Sequence, residues 1–535
     1  MHLLNIETLH LESFTTETTA PPFAILSHTW GEGEVTLQDL SLPHKTLSSR
    51  PGWQKITRFR DAVTHHPHLL SEPVSHLWVD TCCIDKTSSA ELSEAINSMF
   101  RWYRHATCCF ALLGDVTAMR GDGAEEGGRV GADFEASRWF TRGWTLQELL
   151  APSDVHFFDR HWDWIGSKTT LAERISARTS IDEGIILSGE WPFASVAQRM
   201  SWMSGRVTTR VEDMAYCLLG IFDVHMPMLY GEGERAFVRL QEEIIKDSDD
   251  QSILAWDASG SPDSSQAVGA FATHPRQFRN GGSVECLPTS HAGPFALTNK
   301  GLQIDLPIIE HQDSPGQKIV LLSCSDVRDV TTVIGIKVQP DATASSRYTR
   351  LPAPPITIPL QDHTILRQPS PTIYLAKRDQ PSGRHTGTLK CLLYGPSPGR
   401  AFKGVEFIGA SPPGVWNVNK IHTMTMLVPR DGVDDQGEVT TVLLFQLGDE
   451  EGTFCLILSI LPTVGTARVG LLLGPDKAPE GEMLDKMLER LRRSASSIIK
   501  STWAELVLKK GKVYVKVGIG PAPSVIGVSM SRLPE

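Results

Sequence analysis

Phe23-Ala24-Ile25-Leu26-Ser27-His28-Thr29-Trp30 sets the fold class. An apolar run turns abruptly into polar and aromatic residues, which is how a buried strand delivers side chains to the edge of a sheet. The pattern recurs at His76-Leu77-Trp78-Val79-Asp80, again ending in a carboxylate. Between them, Pro51-Gly52 opens a helical stretch to about His66. After the second run, Ser88 and Ser89 are placed to cap a helix with Glu91 in its first turn. Leu92, Ala95, Ile96, Met99 and Tyr103 then recur at helical spacing. Residues 107–113 form a third strand candidate and 119–133 a Gly-rich, charged loop. A helix over 144–150 and the strand Val155-His156-Phe157-Phe158 follow. Strands alternating with helices predict an α/β domain built on a parallel sheet. Further helical stretches fall near 193–204, 211–221 and 233–246, the last with Phe237, Leu240, Ile244 and Ile245 on one face.

Beyond residue 256 the chain is built differently. Eleven of the 13 Trp lie before residue 257, whereas 25 of the 34 Pro lie after residue 256. At 535 residues the chain exceeds what one core usually holds, so two domains are expected. The expected layout is a helix-extended α/β domain over 1–256, a Ser/Asp/Gly/Pro-rich linker over 257–267, and a mainly β domain over 268–535. Short strand candidates fall at 301–308, 318–324, 331–338, 388–394, 438–447, 454–461, 465–473 and 512–518, interrupted by a helix near 482–499. No repeat of fixed period supports a propeller or solenoid.

The net charge of −11 argues against a broad nucleic-acid footprint. The N-terminal residues lack the pattern of a secretory signal, and no apolar run reaches the roughly 18 residues needed to span a bilayer. Nine cysteines, mostly among apolar neighbours, read as reduced thiols of a cytoplasmic protein. Cys82-Cys83 and Cys108-Cys109 are adjacent pairs without zinc-ligand spacing, so no metal site is expected. P-loop, dinucleotide, kinase and nucleophile-elbow motifs are absent, and no bound cofactor is required.

Three clusters sit where strands end, the position at which an open α/β sheet takes ligands. They are Ser27-His28-Thr29-Trp30, then Asp80-Thr81-Cys82-Cys83-Ile84-Asp85, then Arg138-Trp139-Phe140-Thr141-Arg142-Gly143-Trp144-Thr145-Leu146-Gln147-Glu148-Leu149. Trp144 and Glu148 are four apart, a spacing that places two helical residues on one face. An aromatic plane, a cation (Arg142) and an acid suit a nucleotide. Glu148 is the catalytic candidate. Ser27, His28, Trp30, Asp80, Asp85, Arg142 and Trp144 are the ligand-binding candidates. Each singly also fits a structural role: Trp30 and Trp144 as core, Glu148 as an ion-pair partner, Asp80 and Asp85 as turn caps, and His28 as a satisfied hydrogen-bonding residue.

The same blocks closely resemble the fungal heterokaryon incompatibility (HET) domain. The resemblance runs through Ser89-Ala90-Glu91-Leu92, Glu212-Asp213-Met214-Ala215-Tyr216 and Met226-Pro227-Met228-Leu229-Tyr230-Gly231, and so covers roughly residues 1–256. It implies an effector of vegetative incompatibility, in which nonself recognition between fused fungal cells ends in programmed cell death. Many family members join this domain to a nucleotide-binding oligomerisation module and WD repeats. This sequence shows neither, so the resemblance implies either that partner incompatibility proteins supply the trigger, with self-association on activation, or that the chain is a standalone paralogue. Trp144, Glu148 and Leu149 are also similar in spacing to the Trp-Cys-x-x-Glu-Leu helix of TIR domains, with Thr145 where Cys is usual. That likeness implies a TIR-like, flavodoxin-like sheet and NAD as a substrate cleaved at its nicotinamide–ribose bond. The rival expectation is a self-associating signalling module without catalysis.

Overall fold

The computed structural model describes residues 1–117, 131, 133–259, 268–287, 293–311, 314, 316–341, 346–359 and 370–377, and past residue 387 ten strands and one helix. The chain divides into two compact units, 1–341 with 346–379, and 380–535 with 342–345.

The first unit is organised by a seven-stranded sheet. Its strands are β1 His2–Asn5, β2 Leu11–Ser13, β3 Phe23–His28, β4 His76–Trp78, β5 Cys108–Leu112, β6 Val155–Phe158 and β7 Trp164–Ser167. The order is β2-β1-β4-β3-β5-β6-β7. β4, β3, β5 and β6 run parallel, while the outer strands are antiparallel. All six residues of β3 are buried, as its uninterrupted apolar run requires of a central strand. The chain leaves β3 for β4 on one side and returns past it to β5 on the other. Strand order therefore reverses at β3, and such sheets bind ligands beyond the carboxyl ends of their strands at that point.

The two crossover helices cover opposite faces, as right-handed crossovers in opposite directions demand. Helix Pro51–His65 begins with proline in its first turn. Its Phe59 packs edge-on against Phe110, the in-register neighbour of Leu26. Helix Ser89–His105 is capped by Ser88, whose hydroxyl accepts from the Glu91 amide at 3.3 Å. Its Trp102 and Tyr103 pack against Trp78, the neighbour of Ile25. Side chains alternate along a strand, so Leu26 and His28 face the first helix and Ile25 and Ser27 face the second.

Packing carries the first unit past the boundary expected at residue 256. Trp256 is fully buried, and its indole N–H donates to the Ala270 carbonyl at 3.1 Å. The buried Arg350 guanidinium lies 3.8 Å from the Trp256 ring centroid and donates to the carbonyls of Leu254 (2.6 Å) and Trp256. A correction to the expected layout follows: strands that include Gly301–Asp305, Lys318–Leu321 and Thr332–Pro340 form an eight-stranded sheet within this unit. Most of the expected 119–133 loop and 257–267 linker lies outside the described residues.

The second unit is mostly strands, in a six-stranded and a four-stranded sheet. Its helix Glu482–Arg493 brings Leu488 into a core with Val442, Leu444, Cys455 and Ile457. Among the described residues, no helix is long and apolar enough to cross a membrane.

Helix Leu219–Phe222 approaches helix Ser89–His105 through Gly220, where an added Cβ would lie 2.1 Å from Phe100 Cβ. No side-chain rotation relieves a clash with a Cβ, so Gly220→Ala is expected to destabilise the chain by about 1–3 kcal/mol. Urea denaturation checks this, and an unchanged midpoint would exclude the close packing.

Candidate functional site

Ser27, next to last in β3, lies on the face covered by helix Ser89–His105. Its hydroxyl accepts from the Trp139 indole N–H at 2.7 Å and donates to Glu148 Oε2. Trp139 comes from the turn Arg138–Thr141, which is capped by Ser137. Ser137 in turn donates to Asp115 at 2.7 Å. Glu148 comes from the short helix Thr145–Leu150. That helix is held by a close chain crossing. The Gly143 amide donates to the Val207 carbonyl at 2.9 Å, and a Cβ on Gly143 would lie 2.5 Å from Thr208 Cγ2. This approach lets the buried Arg206 donate to the Thr145 hydroxyl and the Arg142 carbonyl, each at 2.9 Å. Arg206 Nη2 makes no hydrogen bond among the described residues.

Ser27 is 0% exposed and Glu148 only 7%. Burial pushes the Glu148 carboxyl up to about 8, against the opposing Ser27 hydrogen bond; the Asp80 charge adds to the rise, and Arg206 and Arg142 oppose it. A carboxyl group that keeps its proton near neutrality is the pattern of a buried acid–base group.

His28 points to the other face. Lysine can only donate, so Lys55 Nζ, 2.9 Å from His28 Nδ1, makes that nitrogen the acceptor. The Nε2–H then donates to Asp80 Oδ1 at 3.0 Å. The Trp30 indole N–H donates to Asp80 Oδ2 at 2.7 Å. Burial raises the Asp80 carboxyl, but His28, with Lys86 and Trp30, outweighs it and holds the group below its usual range. Lys86 Nζ lies 3.7 Å from the Trp30 ring centroid, and Trp30 is 54% exposed.

The expected cluster is thus two networks on opposite faces that meet at one strand end. Ser27 and Glu148 bond directly. His28 and Trp30 each bond to Asp80, and the Asp80 charge is felt at Glu148. Arg142 is half-buried, with Nη2 3.4 Å from the Thr209 hydroxyl, and its charge also reaches Glu148. Trp144 and Asp85 are engaged elsewhere. The Trp144 indole N–H donates to Asp213 at 3.4 Å, in a group with Tyr230. Asp85 is half-buried and accepts from Gln38 and from the Thr87 amide and hydroxyl, a turn at the start of the next helix. Sequence reasoning missed Arg206 and Lys55, and it gave no role to Trp139 or Lys86, although Trp139 lies in the third cluster. A buried indole N–H needing an acceptor was the available signal for Trp139.

A family model described as heterokaryon incompatibility protein (HET) matches residues 23–131. The chain carries a HET domain. Ser27, His28, Trp30, Asp80 and Asp85 lie inside the matched residues, whereas Arg142, Trp144 and Glu148 follow them. A second model, a domain of unknown function, matches residues 235–315. The vegetative incompatibility protein HET-E-1 of Podospora anserina is 46% identical over 228 residues, which is 42% of this chain and 16% of that protein. The chain therefore matches only a small part of that relative's length.

Among the described residues of the first unit, two groups of side chains have metal-ligand chemistry that the sequence reading did not anticipate. Cys108, Asp154 and His156 gather at the amino ends of β5 and β6, the opposite end of the HET domain sheet from Ser27. There the Trp164 indole donates to His156 Nδ1 at 3.3 Å, and His156 Nε2 lies 3.0 Å from Asp154. The other group is Asp250, Cys286 and Cys324.

The Glu148 proton has a consequence for stability. The folded carboxyl titrates near 8 and the unfolded one near 4.5, so the folded chain holds an extra proton between these values. Stability from this group is full below the lower value and is lost as pH rises toward the upper one. Glu148→Gln keeps the acceptor for Ser27 but removes the titration. The expected result is that the variant gains thermal stability relative to wild type as pH rises from about 5 to about 8. A constant difference across that range would show that Glu148 is ionised in the folded chain.

Proposed function

We propose that this chain is an effector of heterokaryon incompatibility and that its HET domain cleaves NAD at the nicotinamide–ribose bond. The observation that carries this reading is the Ser27–Glu148 bond, which sets a high-pKa carboxyl at the point where strand order reverses. The incompatibility role is supported by the family match and by the likeness to HET-E-1.

In the proposed reaction the positively charged nicotinamide ring favours the ionised form of Glu148, releasing its proton. The carboxylate then holds a ribose hydroxyl and stabilises the oxocarbenium-like transition state, as carboxylates do in glycoside cleavage. Nicotinamide leaves with the bonding electron pair, and water adds to the ribose carbon. The products are ADP-ribose, nicotinamide and a proton. Trp30, exposed beneath Lys86, offers a ring for stacking and a cation for phosphate. Arg142 offers a second cation. Asp80 and His28 orient Trp30 and add negative potential beside Glu148. Trp144 and Asp85, committed to Asp213 and to a turn, shape the surroundings from a distance. Because Ser27 and Glu148 are closed over in this conformation, activation must open the site, and self-association with partner incompatibility proteins is the proposed trigger.

The same closure favours a second reading, a non-enzymatic signalling module in which Ser27, Trp139 and Glu148 serve as core polar groups. Purified full-length chain, concentrated or crowded and incubated with NAD, separates the two. Nicotinamide release that falls on the order of 100-fold or more in Glu148→Gln, with the fold intact, is the expected result. Absence of release under every assembly condition, with toxicity on expression retained in Glu148→Gln, would favour the signalling module.

A further inference from the structure

We propose that Cys286 and Cys324 form a reversible redox site, closing to a disulfide when a peroxide reaches the cleft beside them. The two residues sit opposite each other on the antiparallel strands Val284–Cys286 and Cys324–Asp326. The Leu287 amide bonds the Ser323 carbonyl at 2.8 Å, and the Val327 amide bonds Ser283 at 2.8 Å. Hydrogen-bonded pairs alternate with non-hydrogen-bonded ones, so Cys286 and Cys324 form a non-hydrogen-bonded pair. In such pairs the Cα atoms are about 4.5 Å apart and the side chains are closest, within the span a disulfide bridges. The sulfur atoms are 3.8 Å apart as free thiols, so rotation about the side-chain bonds suffices to join them.

Access and chemistry are divided between the two. Cys286 is exposed and lines a cleft of about 660 Å³ together with Phe193, Ser195, Arg199, Asp250 and Glu285. Cys324 is buried behind it, out of reach of a solute in the cleft. Cys286 is therefore the sulfur that meets the oxidant. Its thiolate attacks the peroxide O–O bond, giving a sulfenic acid and releasing hydroxide that takes up a proton as water. Cys324 then attacks the sulfenic sulfur, the S–O bond breaks, and a second water leaves. Two thiols and hydrogen peroxide give one disulfide and two waters, and a dithiol reductant reverses the step.

The site is tied to the rest of the unit through Asp250. Its Oδ1 is 2.6 Å from Cys286 Sγ and accepts the Ser252 amide, while Oδ2 accepts the Val196 amide at 2.6 Å. Val196 begins helix Val196–Met203, which leads to Arg206 beneath the Glu148 helix. Ser195 donates to the Val284 carbonyl at 2.7 Å, joining the same helix to the cysteine strand. Closing the disulfide takes the Cys286 thiol proton from Asp250 and shifts the cap of this helix. The inference is independent of any reaction at Glu148.

The test uses the full-length chain, reduced with dithiothreitol or treated with hydrogen peroxide, then alkylated and mapped by mass spectrometry. The expected result is a cross-linked peptide pair joining Cys286 to Cys324, which dithiothreitol reverses and Cys286→Ser abolishes. Hydrogen exchange over Val196–Met203 is expected to change on oxidation in the wild type and not in Cys286→Ser. Cys286 because exposed is the safer position to vary; Cys324→Ser is not needed. Oxidation of Cys286 to a terminal sulfinic acid with Cys324 still alkylatable overturns the proposal. So does a stoichiometric metal ion in the purified chain that protects both thiols from peroxide.

Discussion

The buried hydrogen bond between Ser27 and Glu148 is the interaction around which the carboxyl end of β3 is built. A carboxyl group taken out of water either finds a charge partner or keeps its proton. Here burial outweighs the distant guanidinium groups of Arg142 and Arg206, and the proton stays. The surrounding structure reads as a set of supports for that choice. Trp139 fixes the serine hydroxyl, Gly143 admits the chain crossing, and Arg206 fastens the short helix from below through Thr145. The adjacent residue, His28, turns to the opposite face and builds a second, ionic network with Lys55 and Asp80. Strand alternation separates a neutral acid from a charged pair by a single residue of sequence.

Much of this sheet was legible before any coordinate. β3, β4, β5 and β6 are short apolar runs bounded by polar residues, and the helices between them carry proline or serine starts. β1, β2 and β7 were not seen, because three or four residues of mixed polarity at a sheet edge carry no usable period. The candidate residues could be named from the sequence, but not their grouping. Trp144 and Glu148 share a helical spacing, yet Trp144 only precedes the helix and is drawn away by Asp213. Arg206 lies about 60 positions from Glu148, and no local pattern announces it. Cys286 and Cys324 lie far apart with no paired-cysteine spacing, so only the strand register brings them together.

The end of the first unit shows a similar limit. The tryptophan skew and the linker-like composition both point to a boundary near residue 256. Trp256 is instead a packing centre, gripped by an arginine from a strand almost a hundred residues later. A change in composition records a change in element type, from helices to strands, and such a change can occur within one compact unit.

The central claim is that Glu148 is a neutral acid at physiological pH. Infrared difference spectroscopy, wild type minus Glu148→Gln, reads the carboxylic acid carbonyl stretch directly. The account predicts an acid band at neutral pH that gives way to a carboxylate band with a midpoint near 8. A carboxylate band already complete at neutral pH would contradict it.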